Sequence, residues 1–161
     1  MRLFTKTMTV IIDSREKKFD HIVRHFEKNG IAYEVRKLDV GDYQLEGDSR
    51  ISVDRKQNLS ELSKNIMNRK DSSRFWREIR RAFEQKTKLY ILVEHGGKIK
   101  SISDVAKWHD KYSGVSGRRL MDEIYRIHIS YQVEFIFCDK RMTAKKIIEI
   151  LSKCIDFQLE M

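Results

Sequence analysis

LDVGDYQLEGDSRISVDRKQ, residues 38–57, decides the fold of this chain. It reads as two strands about a turn at Glu46-Gly47-Asp48-Ser49, yet it carries five acidic and three basic side chains. Successive side chains of a strand point to opposite faces. On the second strand Ile51, Val53 and Arg55 therefore share one face, and Ser52, Asp54 and Lys56 the other. Asp54 and Lys56 stand side by side, and the turn brings Asp42, at the start of the partner strand, towards them. Two carboxylates that converge repel each other unless a cation joins them. Hard oxygen donors suit Mg2+ or Mn2+ better than zinc. Such a site can hydrolyse a phosphodiester, because the metal lowers the pKa of bound water and an adjacent ammonium orients that water. The spacing D-(x)n-(D/E)-x-K also arises by chance in charged sequences, and a solvated hairpin with cross-strand ion pairs is the competing reading.

Working outward, Thr7–Ile12 (TMTVII) is β-rich, and Phe19, Ile22, Val23 and Phe26 then recur at helical spacing before Asn29-Gly30. Tyr33, Val35 and Leu38 suggest a second strand ahead of the hairpin. Asn58 with Glu61 three residues later has the form of a capping box, opening a helix whose apolar side is Leu59, Leu62 and Ile66. A polar break at residues 68–73 (NRKDSS) precedes a helix carrying Phe75, Ile79 and Phe83, and Lys88–Glu94 reads as a buried strand. The pattern then predicts a short helix around Ser103–Tyr112, a longer one over Gly117–Tyr131, and a strand at Val133–Cys138. Thr143 is placed to cap a closing helix through about Cys154. Strands interspersed with helices, plus one early hairpin, indicate an α/β sandwich with a mixed sheet in a single domain.

Bulk properties set the partner. Lys and Arg number 33 against 24 acids, a formal charge of +9, which favours a polyanion. No apolar run spans a bilayer, and the short apolar stretch of the N-terminus runs directly into charge, so neither a membrane nor a secretory route is expected. Cys138 and Cys154 are too few for a disulfide framework and lack metal-ligand spacing. The expected location is the cytoplasm of a bacterium or phage-infected cell, or the nucleus of a eukaryote.

Three segments together carry a family resemblance. Asp13-Ser14-Arg15-Glu16, Lys37–Tyr43 ending in Gly41-Asp42-Tyr43, and Val53-Asp54-Arg55-Lys56 resemble the D-x-R-E, G-D-[YF] and [VI]-E-R-K-x-x-x-D motifs of the XPF nuclease family, which includes Mus-type and Hef nucleases. Ser73–Glu78 looks like its G-R-x-x-x-Q stretch, and Leu92-Val93-Glu94 like its L-[IV]-E strand end. The resemblance runs in order over residues 8–95, with 96–161 similar in architecture only. It implies a restriction-endonuclease-like nuclease domain over residues 1–161, cutting branched DNA such as flaps, forks or junctions in recombination, repair or replication. It further implies that Asp42 and Asp54 hold Mg2+ or Mn2+ with the Arg55 carbonyl. Lys56 would act as base or water-orienting group, Asp13 and Glu16 would line the pocket, and Arg15, Arg55 and Arg74 would face phosphates or brace the carboxylates. Relatives pair through this domain, and the apolar helices after Glu94 suit a homodimer.

The chain departs from the pattern twice. Asp54 stands where the family has Glu, and Ser60 where it has a trailing Asp, with Glu61 adjacent as a substitute. A catalytically silent DNA-binding subunit of the same fold is therefore the rival function, and an RNA nuclease a third. For Arg55, pairing beneath the sheet stands level with phosphate contact. Arg77 belongs to a run of arginines on the helix after the site, and Gly114–Arg119 presents Arg118 and Arg119 on a glycine-bracketed loop, either as phosphate contacts or as a solvated linker. His21 and His25 lie four apart with no third ligand in reach, and read as a surface pair.

Overall fold

A computed structural model describes residues 8–70 and 73–155. Thr7 of the first predicted strand, and Asp71 and Ser72 of the polar break, lie outside the described residues. The elements are β1 (Thr9–Asp13), α1 (Asp20–Lys28), β2 (Ala32–Arg36), β3 (Tyr43–Leu45), β4 (Asp48–Lys56), α2 (Leu59–Met67), α3 (Arg74–Glu84), β5 (Lys88–Glu94), α4 (Gly117–Tyr131), β6 (Glu134–Cys138) and α5 (Thr143–Leu151). The strands form one six-stranded sheet in the order β2-β1-β3-β4-β5-β6. β1 pairs with β2, β4 with β5 and β5 with β6 in parallel, whereas β3 runs antiparallel to both β1 and β4. Five strands therefore point one way, and their C-terminal ends share one edge with the start of β3.

Alternation along β4 and β5 gives each face of the sheet its own apolar layer. Ile51, Val53, Tyr90 and Leu92 pack with Ile22 and Phe26 of α1 and with Ala144, Ile147 and Ile150 of α5. Leu89, Ile91 and Val93 pack on the other face with Leu62 and Ile66 of α2, Phe75 and Ile79 of α3, and Leu120 and Ile124 of α4. The sheet is thus sandwiched by helices, as the sequence predicts. Trp76 and Trp108 are partly buried against the second layer, so both serve packing.

The Gly41-Asp42 link is built by close approach. Gly41 adopts φ +73°, and a Cβ there would lie 2.1 Å from Ser52 Oγ, so a side chain has neither the conformation nor the room. Asp42 is then threaded between two strands: its N–H donates to Val53 O (2.7 Å) and its carbonyl accepts Asp13 N–H (2.7 Å).

Three predicted details differ. The segment read as a helix over Ser103–Tyr112 is a 3-10 helix at Ile102–Lys107, because Asp104 folds back to accept Lys100 N–H and Ser101 Oγ–H and the chain turns extended at Trp108. Thr143 does not cap α5 but is its first residue, and its hydroxyl donates to Glu94 Oε2 at 2.6 Å. α5 proper ends at Leu151, and after a turn at Ser152, whose Oγ donates back to Ile148 O (2.6 Å), the chain is helical again over 153–155, so the helix predicted through about Cys154 is present but interrupted.

Candidate active site

The shared C-terminal edge of the strands collects the polar residues. Asp13 ends β1, Asp42 immediately precedes β3, Lys56 ends β4 and Glu94 ends β5. Ligand sites in open α/β sheets form at this edge. An open cavity of about 280 Å³ lies there, lined on its floor by Asp42, Asp54 and Lys56 and on its walls by Arg15, Glu16, Glu61, Asn65, Arg74, Phe75 and Glu78.

On the α2/α3 side of the sheet, Asp42 Oδ2 accepts the Arg55 backbone N–H at 2.9 Å, which anchors it to β4. Burial, then the negative charges of Asp54 and Glu16, raise the Asp42 pKa well above the ordinary carboxylate range. Lys56 Nζ lies 3.1 Å from Asp54 Oδ2 and 5.3 Å from the centre of the Phe75 ring. Burial opposes the Lys56 charge, but Asp54 and Asp42 outweigh it, so its pKa is raised and it remains an ammonium. Two carboxylates thus face one cation in a partly desolvated cleft.

Glu16 and Arg55, which also border the cavity, belong to a network of paired groups. The Arg55 guanidinium, with its side chain 1% exposed, donates through Nε to Glu16 Oε2 (2.9 Å), through Nη1 to Glu94 Oε1, and through Nη2 to the Lys17 carbonyl. Glu94 Oε2 also accepts the Thr143 hydroxyl and lies 2.7 Å from His21 Nε2. Arg55 therefore braces carboxylates beneath the sheet. His21 is no member of a surface pair: it is drawn to Glu94, while His25 is half-buried.

Asp13 does not reach the cavity. Its carboxylate accepts Arg15 Nε (2.9 Å) and the Leu38 N–H (2.8 Å), and Arg15 Nη2 donates to Leu38 O (2.9 Å). Burial opposes this ionisation, but the hydrogen bonds from Arg15 and Leu38 outweigh it and lower the Asp13 pKa. Asp13 thus positions Arg15, whose half-exposed guanidinium does line the cavity. Arg74 lines it too, whereas Arg77, Arg118 and Arg119 are exposed and lie outside it. Of the two candidates for the missing trailing acid, Ser60 lies outside the cavity, and Glu61 lines it with Oε2 accepting Gln57 N–H (2.7 Å).

Glu78 was given no role by the sequence. It lies on α3, and its Oε1 accepts the Gly41 N–H at 2.5 Å, placing a third carboxylate at the cavity wall. Burial and the nearby charge of Asp54 push its pKa up to about 7. Its place in the Ser73–Glu78 stretch, where the resembled motif has Gln, was the one available signal.

Among the described residues, no group of three or more His, Cys, Asp or Glu side chains is set to hold a metal ion. Asp42 and Asp54 nevertheless have the donor chemistry for Mg2+ or Mn2+, since Mg2+ is commonly held by one or two carboxylates and keeps several waters. The mutual repulsion that raises Asp42 is what a divalent cation between the two would relieve.

The mixed six-stranded sheet flanked by helices is a restriction-endonuclease-like fold, and the cleft with its acids and lysine lies at the C-terminal edge of that sheet. Comparison is more specific: the model of the ERCC4 domain matches residues 12–151, and the chain belongs to that family. XPF from Aeropyrum pernix superposes with a TM-score of 0.69 at 20% identity, over 91% of this chain and 65% of that one. A structure of XPF from Aeropyrum pernix in complex with DNA gives 0.69 at 21% identity, over 92% and 66%. The chain therefore spans slightly less than two thirds of the length of these relatives. A search of curated proteins returned no match. No described helix is long and apolar enough to cross a membrane.

Proposed function

We propose that this chain acts as one nuclease domain, a metal-dependent endonuclease that hydrolyses phosphodiester bonds of branched DNA. The observation that carries the reading is the pair Asp42 and Asp54 beside the Lys56 ammonium, on the floor of an open cleft walled by Arg15 and Arg74. Mg2+ or Mn2+, when bound by the two carboxylates and the Arg55 carbonyl, supplies Lewis acidity and a bound water of lowered pKa. Arg15, fixed by Asp13, and Arg74 hold the phosphate at the mouth. Lys56 stays charged, so it orients the attacking water and offsets the charge that develops on phosphorus, a role worth more in a partly desolvated cleft than in water. Glu16 is paired with Arg55 and acts by tying the turn after β1 to the end of β4 at the cavity wall. The formal charge of +9 supports binding to a polyanion, and the solved DNA complex of a structural neighbour supports DNA as that polyanion.

Family membership supports fork, flap or junction substrates and a place in repair, recombination or replication as part of this reading. A homodimer is supported by exposed apolar side chains on α3 and α4, namely Phe83, Tyr125 and Ile129, the last 75% exposed. One observation favours a second reading, a silent DNA-binding subunit: Ser60 stands in place of the trailing acid and lies outside the cavity.

The test is cleavage of labelled fork, flap and linear duplex DNA with Mg2+, Mn2+ or EDTA, wild type beside Asp54→Asn. Cutting near the branch that needs metal and disappears in the variant supports the enzyme. Fork binding without cutting in either metal leaves the silent subunit.

A further inference from the structure

A second groove adjoins the catalytic cavity. It has a volume of about 430 Å³ and is lined by Gln57, Asn58, Ser60, Glu61, Lys64 and Tyr112, of which Gln57 and Glu61 also line the catalytic cavity. Tyr112 forms its outer wall and is 88% exposed, the highest among the exposed large hydrophobic side chains described. An exposed tyrosine in isolation carries no message. Here it sits on a turn that is fixed at both ends. His109 and Ser116 form an antiparallel bridge across the base of the turn, and Asp110, 2% exposed, accepts Tyr112 N–H (3.0 Å) and Ser113 Oγ–H (2.5 Å). The Ser113 hydroxyl in turn accepts Val115 N–H (3.3 Å). The ring is thus presented to solvent by an ordered backbone, beside the Lys64 ammonium and one groove away from the acids that would cut.

From this placement we infer that Tyr112 is a stacking platform for an unpaired nucleobase of the substrate, next to the scissile phosphate. The inference rests on the nucleic-acid reading above and adds to it a selectivity element. A base inside a duplex is already stacked and paired, and cannot turn its face to Tyr112 without being extruded. An unpaired base at a branch can. It gains an aromatic surface that accepts any base, because every base has a π-face. Lys64 lies where the phosphate of that nucleotide would pass, and Glu61 is occupied by Gln57 N–H, so its charge is partly spent inside the groove. Selectivity for branched over linear DNA would then arise within this domain, from one side chain at the edge of the catalytic cavity.

The test measures affinity of the full chain, in EDTA, for a fork and for a duplex of equal length, by fluorescence anisotropy. A 2-aminopurine is placed at the unpaired position beside the branch. Wild type is compared with Tyr112→Ala and Tyr112→Phe, changes at an exposed site that circular dichroism will show to be folded. Stacking predicts that Tyr112→Ala weakens fork binding roughly ten-fold, leaves duplex binding unchanged and removes the 2-aminopurine quench, while Tyr112→Phe behaves as wild type. Unchanged fork affinity in Tyr112→Ala overturns the inference with the nucleic-acid reading intact. Equal losses on fork and duplex, or a loss in Tyr112→Phe as large as in Tyr112→Ala, overturn stacking in favour of a backbone or hydroxyl contact. Wild type that binds neither DNA overturns both readings.

Discussion

The two faces of β4 bear charge of the same kind and treat it in opposite ways. Beneath the sheet, Arg55 meets Glu16, Glu94 and the Lys17 carbonyl, and Glu94 is further held by His21 and Thr143. Above it, one residue to either side, Asp54 and Lys56 join Asp42 and Glu78 in an open cleft, where burial and the charges of Asp54 and Glu16 raise the Asp42 pKa. The lower network pairs its donors and acceptors with one another, so it fixes geometry. The upper one is left with mutual repulsion and with access to solvent, so it can take up a cation and a phosphate. Position along the strand is nearly the same. Completeness of pairing is what separates a brace from a reactive site.

Breaking the brace should have the largest effect. Arg55→Met leaves Glu16 and Glu94 buried without their partner, a loss expected to cost on the order of 3–5 kcal/mol. The midpoint of thermal unfolding, followed by circular dichroism, should fall by roughly 10 °C. Lys56→Met, on the upper face, should do the reverse: a fold retained and a cleavage rate on the order of 10²–10³-fold lower, read in single-turnover assays with Mn2+. Comparable unfolding by both variants would erase the distinction between the faces.

Gly41→Ala sharpens the comparison from the backbone. Its positive φ and the 2.1 Å approach of a Cβ to Ser52 Oγ should cost about 1–3 kcal/mol in urea unfolding. It should also displace Asp42 and so reduce cleavage beyond the loss of fold. Glu78→Gln should give the smallest change, and one that depends on pH. The folded Glu78 pKa of about 7 lies above the ordinary glutamate value of 4.5, so between these values the folded state holds the extra proton. Its contribution is therefore fully present below about 4.5 and lost as pH rises through about 7. Gln keeps an acceptor for the Gly41 N–H and never ionises. Melting temperatures should match wild type at acid pH and exceed it above neutrality.

Much of this was legible because β4 obeys a two-residue period. Val53 in the core and Asp54 in the cleft follow from alternation alone, and Asp42 follows from the hairpin. For Arg55 the same parity left pairing below the sheet level with phosphate contact. What alternation does not carry is the partner. Glu78 meets Gly41 across 37 residues, and Glu94 meets Thr143 across 49, through the docking of α3 and α5 on opposite faces. The same limit explains His21, whose helical spacing to His25 was plain but whose bond to Glu94 was not. Thr143 looked like a cap because threonine before an apolar run is one, yet its hydroxyl serves a buried carboxylate instead. The 3-10 helix before Trp108 also escaped periodicity, being too short to repeat.

The central claim is that the proposed Asp42 and Asp54 pair above β4 is a divalent-cation site. Calorimetric titration of Mn2+ into wild type and Asp54→Asn tests it without reference to any DNA. Saturable binding by wild type should be lost in Asp54→Asn, with circular dichroism checking that the variant is folded. No Mn2+ binding by wild type, or equal binding by Asp54→Asn, would contradict the account.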